Sequence, residues 1–252
     1  MKSLALIPAR SGSLRVKLKN VRELNGHPLL AYSIVQAQRS GLFDRIVVST
    51  DSEKIRDIAL YYGAECPFLR PQELATATSP DIEWIMHAFE HLPGAIQKYE
   101  IFAIIRPTSP FRTAETLKRA MNQLLANKNI DSLRAVELCH QHPGKMWTLS
   151  PDEIQMIPFL PQDHMQIPWH ARQYQDLPKV YIQNSSLEIA WTHVLPRTRS
   201  REGKSVAPFL TQDYEGFAID YETDWMLAEL LVNKDLARLI PITTPPYPYP
   251  FV

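Results

Sequence analysis

The 252-residue chain holds two cysteines, Cys66 and Cys139, with no metal-type Cys/His spacing around them. A disulfide framework is therefore excluded, and both read as small reduced core residues. Net charge is missing too: 27 Lys plus Arg stand against 27 Asp plus Glu. A protein so balanced has no large electropositive surface for duplex nucleic acid. No apolar stretch approaches the 18 residues of a membrane span. The short apolar run at residues 4–7 is broken by Pro8 and Arg10, so it reads as a first buried strand rather than the core of a signal peptide. These absences predict a cytoplasmic protein with neither nucleic acid nor membrane as partner. Glycine is also scarce, at 8 residues, which leaves no room for a long glycine-rich loop.

What is present is a 45% hydrophobic composition, enough for a sizeable core. Short β-rich runs at residues 3–8, 45–50 and 101–105 alternate with helical patterns. Residues 28–39 carry Leu30, Ile34 and Ala37 on one face. The next helix places Ile55, Ile58, Ala59 and Tyr62 at helical spacing and stops at Gly63. Ser79-Pro80-Asp81 reads as a helix start, with a capping hydroxyl and proline in the first turn, and Ile82, Ile85, Met86 and Phe89 as the buried stripe. A further helix follows at residues 113–125. Three strand-then-helix units predict an α/β fold, a mostly parallel sheet with helices on both faces. Residues 180–191 read as another strand and 224–239 as a helix with Trp225, Leu227, Ala228 and Leu231 apolar. The irregular stretch at 139–169 is an insertion, either a lid or an oligomerisation arm. Five prolines in residues 241–252 make the tail extended. The organisation expected is one domain over 1–252 carrying that insertion.

In an open parallel sheet, ligands bind beyond the carboxyl ends of the strands. After the first strand comes a loop of small residues, Ala9, Ser11, Gly12 and Ser13, interleaved with four cations, Arg10, Arg15, Lys17 and Lys19. Small residues let backbone N–H groups approach an anion, and nearby cations complete a triphosphate cradle. The loop lacks Gly-Lys-Ser/Thr and the dinucleotide fingerprint. On composition alone, a solvated basic loop explains it equally well.

The order of motifs goes further. Ile7-Pro8-Ala9-Arg10, Gly12-Ser13 and Lys19-Asn20 are followed by Leu24-Asn25-Gly26-His27-Pro28-Leu29 and Val48-Ser49-Thr50-Asp51. Then come Phe68-Leu69-Arg70-Pro71, Pro107-Thr108-Ser109-Pro110, Arg172-Gln173, and Ile219-Asp220 ahead of Asp224-Trp225. In this arrangement the chain resembles the acylneuraminate cytidylyltransferase (CMP-sialic acid synthetase) family. The resemblance implies a Rossmann-like homodimer that couples CTP to a keto sugar acid with Mg²⁺ and releases pyrophosphate. It implies Ala9, Arg10, Ser11, Gly12, Ser13, Lys19, Asn20, Arg70 and Ser79 at the nucleotide, with Ser79 equally readable as a plain helix cap. Arg106, Thr108, Ser109, Arg172 and Gln173 fall on the sugar side, Asp220 is the metal ligand, and Arg10, Lys19 and Asp220 carry the catalysis. Asp224 reads as a carboxylate serving the start of its helix, and Lys145 as a residue that reaches a partner subunit.

The chain departs from the family at four places. Leu14 stands where a lysine usually neighbours the phosphates, and Ala218 where the first carboxylate of an Asp-x-Asp pair is common. Arg106 replaces a glutamine, adding a charge that would favour a more anionic sugar. Asn184-Ser185-Ser186 replaces Asn-Gly-Ala. The alternatives to an active sugar-acid cytidylyltransferase are a catalytically impaired nucleotide- or sugar-binding relative, motivated by Leu14 and Ala218, and a sugar-phosphate nucleotidyltransferase.

Overall fold

A computed structural model describes residues 1–161 and 167–248. The chain forms two compact units, Met1–Ala135 with Asn184–Val252, and Val136–Gln183. The second begins earlier and runs further than the insertion expected at 139–169. Of that stretch 162–166, and of the tail 249–252, lie outside the described residues.

In chain order the first unit contains strand β1 (Ser3–Pro8), a small hairpin of β2 (Glu23–Leu24) and β3 (His27–Pro28), helix α1 (Leu29–Ser40), β4 (Arg45–Ser49), α2 (Glu53–Tyr61), α3 (Asp81–Glu90), the single turn α4 (Ala95–Lys98), β5 (Ile101–Ile105) and α5 (Ala114–Ala126). Strand β6 (Ser132–Leu138) leads out to the second unit, which holds β7 (Trp147–Leu149) and β8 (Met156–Pro158). Strand β9 (Tyr181–Trp191) returns, followed by α6 (Val194–Thr198), β10 (Val206–Leu210) and α7 (Glu222–Asn233). The six-stranded sheet has the order β10-β6-β9-β5-β1-β4. β1 runs parallel to β4, with Leu4 opposite Arg45 and Pro8 opposite Ser49, and parallel to β5, with Ser3 opposite Ile101. β9 is antiparallel to β5, so the sheet is mixed at its centre.

Alternation along the strands explains why both faces are covered. Ala5, Ile7, Ile101, Ala103 and Ile105 point into a core shared with Ile34, Ile58 and Leu117 of the helices. Leu4, Leu6, Phe102 and Ile104 point the other way, onto Trp84, Ile85 and Phe89 of α3. Residues buried on alternate faces of one strand require helices on both sides. A third cluster seats Trp225, Ala228 and Leu231 of α7 against Leu24, Leu29, Tyr32 and Phe111.

Two helices differ from the sequence reading. α3 starts at Asp81 behind Pro80, with no side-chain cap, and the Ser79 hydroxyl instead donates to the Glu73 carbonyl and pairs with Thr76 Oγ1. Its buried face is Trp84, Ile85, His87, Ala88 and Phe89, with Ile82 and Met86 at the margin. The rotation follows from Asp81, which turns inward to accept from Trp84 Nε1 at 2.8 Å. α7 ends at Asn233, and Asp235 takes a left-handed conformation (φ 54°) that a helix cannot continue through. The tail is non-helical through the described residues and lies on α2, where Tyr247 packs edge-on against Tyr61.

The second unit is a small assembly of its own. β7 and β8 pair antiparallel. Buried His142 accepts from the Gly144 N–H and contacts the Pro178 carbonyl. Lys145 donates to the carbonyls of His170 and Arg172, which commits its ammonium to its own unit.

α5 carries a reciprocal cap: Thr113 Oγ1 accepts from the Thr116 N–H while Thr116 Oγ1 accepts from the Thr113 N–H. Thr113→Ala should cost about 1 kcal/mol, read as a melting temperature lower by about 2–4 °C; an unchanged melting curve would show the cap to be silent.

Candidate active site

Parallel pairing delivers the ends of β1, β4 and β5 to one edge, so the loops after Pro8, Ser49 and Ile105 leave side by side. The Ser49 carbonyl accepts from the Ala9 N–H at 3.0 Å and from Arg70 Nη2 at 2.8 Å, and Ser49 Oγ accepts from Arg70 Nε. Arg70 is buried, stacked over the Trp84 ring at 5.0 Å. Burial lowers its guanidinium to about 10, against the opposing pull of Asp51 and Asp81. Asp51 fastens the loop after β1: its two oxygens accept from the Ser11 N–H (2.7 Å) and Ser11 Oγ (2.6 Å). Asn20 closes the far end by donating to the Arg10 carbonyl, and Arg10 itself reaches the Ala75 carbonyl. The loop is therefore pinned at both ends while Gly12 stands open and Leu14 is 81% exposed. A pocket of about 60 Å³ opens between this loop and the start of α2, lined by Arg10, Ser11, Leu18, Asn20, Ser52 and Lys54. Sequence reasoning missed Lys54; its position in the first turn of a helix that follows a strand end was the available signal.

At the loop's other side, Lys19 Nζ donates to the Ile219 carbonyl (2.8 Å) and lies 3.2 Å from Asp220 Oδ1. Arg15 Nη2 sits 3.4 Å from the same oxygen, with its guanidinium over the Tyr221 ring. Burial lowers the Lys19 ammonium, and the Asp220 carboxylate opposes that shift. Asp224 accepts from the N–H groups of Asp220 and Tyr221, which is the helix-start role read from sequence. Among the described residues no three His, Cys, Asp or Glu side chains converge as metal ligands. Asp220 offers one hard carboxylate, and Mg²⁺ commonly takes one or two carboxylates with substrate phosphates and water, so the donor set fits that ion.

The sugar-side residues fare differently. Arg106 was expected to add a free positive charge. Instead its Nη2 contacts Asp81 and lies 3.1 Å from Glu188 Oε1. Arg201 pairs with the same two carboxylates, and Arg134 pairs with Glu188 and Glu202. Among the described residues, three guanidiniums and three carboxylates pair in this network, so the charge of Arg106 is met by carboxylates rather than standing free. Burial would lower Arg106, but Asp81 and Glu188 outweigh it and raise it. Burial likewise disfavours ionised Asp81, yet Arg106 and its other donors hold the carboxyl at about 2. The Thr108 carbonyl accepts from the Ile219 N–H at 2.9 Å, tying the loop after β5 to the segment that carries Asp220. Thr108 Oγ1 and Ser109 Oγ are buried without a hydrogen-bond partner. The same loop gives its Arg106 carbonyl to Arg112 at 3.1 Å, a residue the sequence reading passed over although a charge between Phe111 and the Thr113 cap is out of keeping with that junction. Ser186, of the Asn184-Ser185-Ser186 departure, contributes its carbonyl to Arg112. Arg172 and Gln173 belong to the second unit, where Arg172 Nε donates to the Ile167 carbonyl and its guanidinium lies 4.2 Å over Trp169.

Arg106→Gln leaves Asp81 and Glu188 short of countercharge and should destabilise the fold by about 3 kcal/mol, the scale of a broken buried pair; chemical denaturation reads it. Because Asp81's folded value lies below its unfolded one of about 3.9, its stabilisation is complete above that pH and fades as pH falls toward about 2. Acid denaturation of the variant should be correspondingly less steep. An Arg106→Gln protein as stable as wild type would show the network to be dispensable.

Comparison with known proteins bears on the family of the chain. The cytidylyltransferase family matches residues 4–146. The chain is 34% identical over 246 residues to the CMP-N,N'-diacetyllegionaminic acid synthase of Legionella pneumophila, covering 95% of this chain and all of that protein. It is 39% identical over 129 residues to a pseudaminic acid cytidylyltransferase of Campylobacter jejuni, or 51% of this chain and 56% of that one. Among solved structures, a CMP:2-keto-3-deoxy-manno-octonic acid synthetase complexed with CTP superposes with a TM-score of 0.66 at 10% identity, over 93% of this chain and 100% of the other. That last likeness concerns the fold. No helix among the described residues is long and apolar enough to cross a membrane. With a family match over more than half of its length and a 34% identical relative aligned along its whole length, the chain belongs to the cytidylyltransferase family.

Proposed function

We propose that this chain activates a nonulosonic acid of the legionaminic type: the anomeric hydroxyl of the sugar acid loses its proton and bonds to the α-phosphorus of CTP, and the bond to pyrophosphate breaks. The observation that carries the reading is the convergence of Lys19 and Arg15 on Asp220 beside the pinned loop. Negative charge grows on the phosphoryl oxygens and on the departing pyrophosphate, and preoriented donors meet it without reorganisation. Arg10 and Lys19 hold the phosphates, Ser13 and the backbone of residues 9–13 donate to them, and Asn20 and Arg70 face the nucleoside. Ser79, bound to Glu73 and Thr76, shapes the edge of that pocket. Asp220 would hold Mg²⁺, which when bound supplies further neutralisation of phosphate charge. Arg15 stands where it can offset the cation absent at Leu14. Similarity running the whole length of a diacetyllegionaminic acid synthase favours that sugar class over those of the partial matches.

Two copies would pair through the second unit. Its hairpin exposes Ile154, Met156, Ile157 and Phe159, an apolar group that a lone soluble molecule seldom leaves to water. Ile157→Asp should convert a dimer to a monomer in sedimentation; a wild-type chain that sediments as a monomer would sink this assembly.

Pyrophosphate release from CTP and Mg²⁺ across a panel of keto sugar acids tests the activity, with UTP, ATP and GTP as controls. Arg10→Ala should lower the rate by about 10²–10³, the cost of losing one charge-stabilising donor, while the melting temperature stays near wild type. Normal turnover in that variant would remove the loop from the mechanism. The exposed apolar Leu14 favours one other reading, a binding protein without turnover; CTP would then raise the melting temperature while no acid released pyrophosphate.

A further inference from the structure

Arg112 is completely buried, and among the described residues no carboxylate is hydrogen-bonded to it. Its guanidinium donates instead to neutral oxygens on three segments. Nη2 reaches Ser33 Oγ and Gln36 Oε1 of α1, both at 2.9 Å, and the Arg106 carbonyl at 3.1 Å. Nη1 donates to the Ser186 carbonyl of β9, and Nε has no partner. Burial lowers the group to about 9, opposed by the more distant Glu215. An apolar side chain of similar volume would fill this space without removing a cation from water. Packing therefore does not account for the charge. What a guanidinium adds is a rigid fork whose donors address several segments at once.

The segment so held is the loop after β5. Gln36 Nε2 donates to the Pro110 carbonyl at its far end, and Ser33 Oγ to the Arg106 carbonyl at its near end. Between these two anchors the Thr108 carbonyl takes the Ile219 N–H, and the Ile219 carbonyl in turn takes Lys19 Nζ beside Asp220. We propose that Arg112 is a positioning residue for nucleotidyl transfer: it clamps the 106–110 loop to α1 and β9, and through the Thr108–Ile219 hydrogen bond the clamped loop sets Asp220 and Lys19. This rests on the cytidylyltransferase reading for the reaction, but the clamp itself is a property of the fold. Ala9, Arg10 and Ser11 are anchored separately, to Ser49, Ala75 and Asp51 in turn, so that end of the nucleotide loop does not depend on Arg112.

Arg112→Lys keeps the charge and loses the fork. Two readouts decide the matter, steady-state kinetics of pyrophosphate release and hydrogen exchange at single amides. The expected result is a kcat lower by about 10–100-fold, the scale of a misplaced catalytic group, with the KM for CTP altered by less than about 3-fold. The Ile219 amide should exchange faster, and the Ala9 amide at the wild-type rate. A folded Arg112→Lys protein with normal kcat would overturn the proposal. So would a lower kcat with Ile219 exchange unchanged, because the route through Thr108 would then be absent. Should Arg112→Lys fail to fold, Ser33→Ala removes one acceptor and leaves the others; the same two changes, smaller in size, are expected, and neither appearing would overturn the proposal. If the wild-type chain released no pyrophosphate with any acid, the catalytic reading would fail, while Ile219 exchange would still decide whether Arg112 governs that segment.

Discussion

The parallel alignment of β1, β4 and β5 is the constraint from which the site follows. Parallel strands put their carboxyl ends at one edge, and the crossover helices they require cover both faces. With Pro8 opposite Ser49 in the ladder, the first two loops part from neighbouring residues. One carbonyl, that of Ser49, then serves both Ala9 and Arg70. Everything proposed for the nucleotide is built outward from that edge, and the segment at 217–220 joins it through the backbone hydrogen bond from Ile219 to Thr108 in the loop after β5.

Three arginines near this edge show three ways of keeping a guanidinium out of water. Arg70 rests on a carbonyl, a hydroxyl and an indole face. Arg106 is matched by the carboxylates of Asp81 and Glu188. Arg112 has only neutral acceptors. Of these three, Arg70 and Arg112 have no carboxylate hydrogen-bonded to them among the described residues.

Much of the architecture was legible because periodicity carries it. The short apolar run Ile101–Ile105, the spacing of Ile55, Ile58 and Ala59, and the Gly63 stop each depend on neighbours close in sequence. The Ser11–Asp51 and Lys19–Asp220 pairs were legible only as separate motifs, since nothing local joins residues 40 or 201 positions apart. Where the reading failed, a distant partner had intervened. Asp81 turned toward Arg106 and Arg201, and took the buried face of α3 with it. Arg106 looked like a free cation because Glu188 lies 82 positions away. Arg112 was invisible for the same reason: its partners come from α1 and β9, and no spacing rule connects them.

The exposure of these charges gives ionic strength a selective grip on the molecule. The Arg106–Asp81–Glu188 network is withdrawn from solvent, and mobile ions screen buried pairs weakly. The Arg15–Asp220 and Arg22–Glu222 pairs are open to solvent on at least one side, within easy reach of salt. Raising the salt concentration therefore loosens the attachment of the signature loop to the α7 entrance while leaving the scaffold beneath it untouched. Buffer composition becomes a dial for loop freedom, separable from temperature and denaturant, which act on the whole fold.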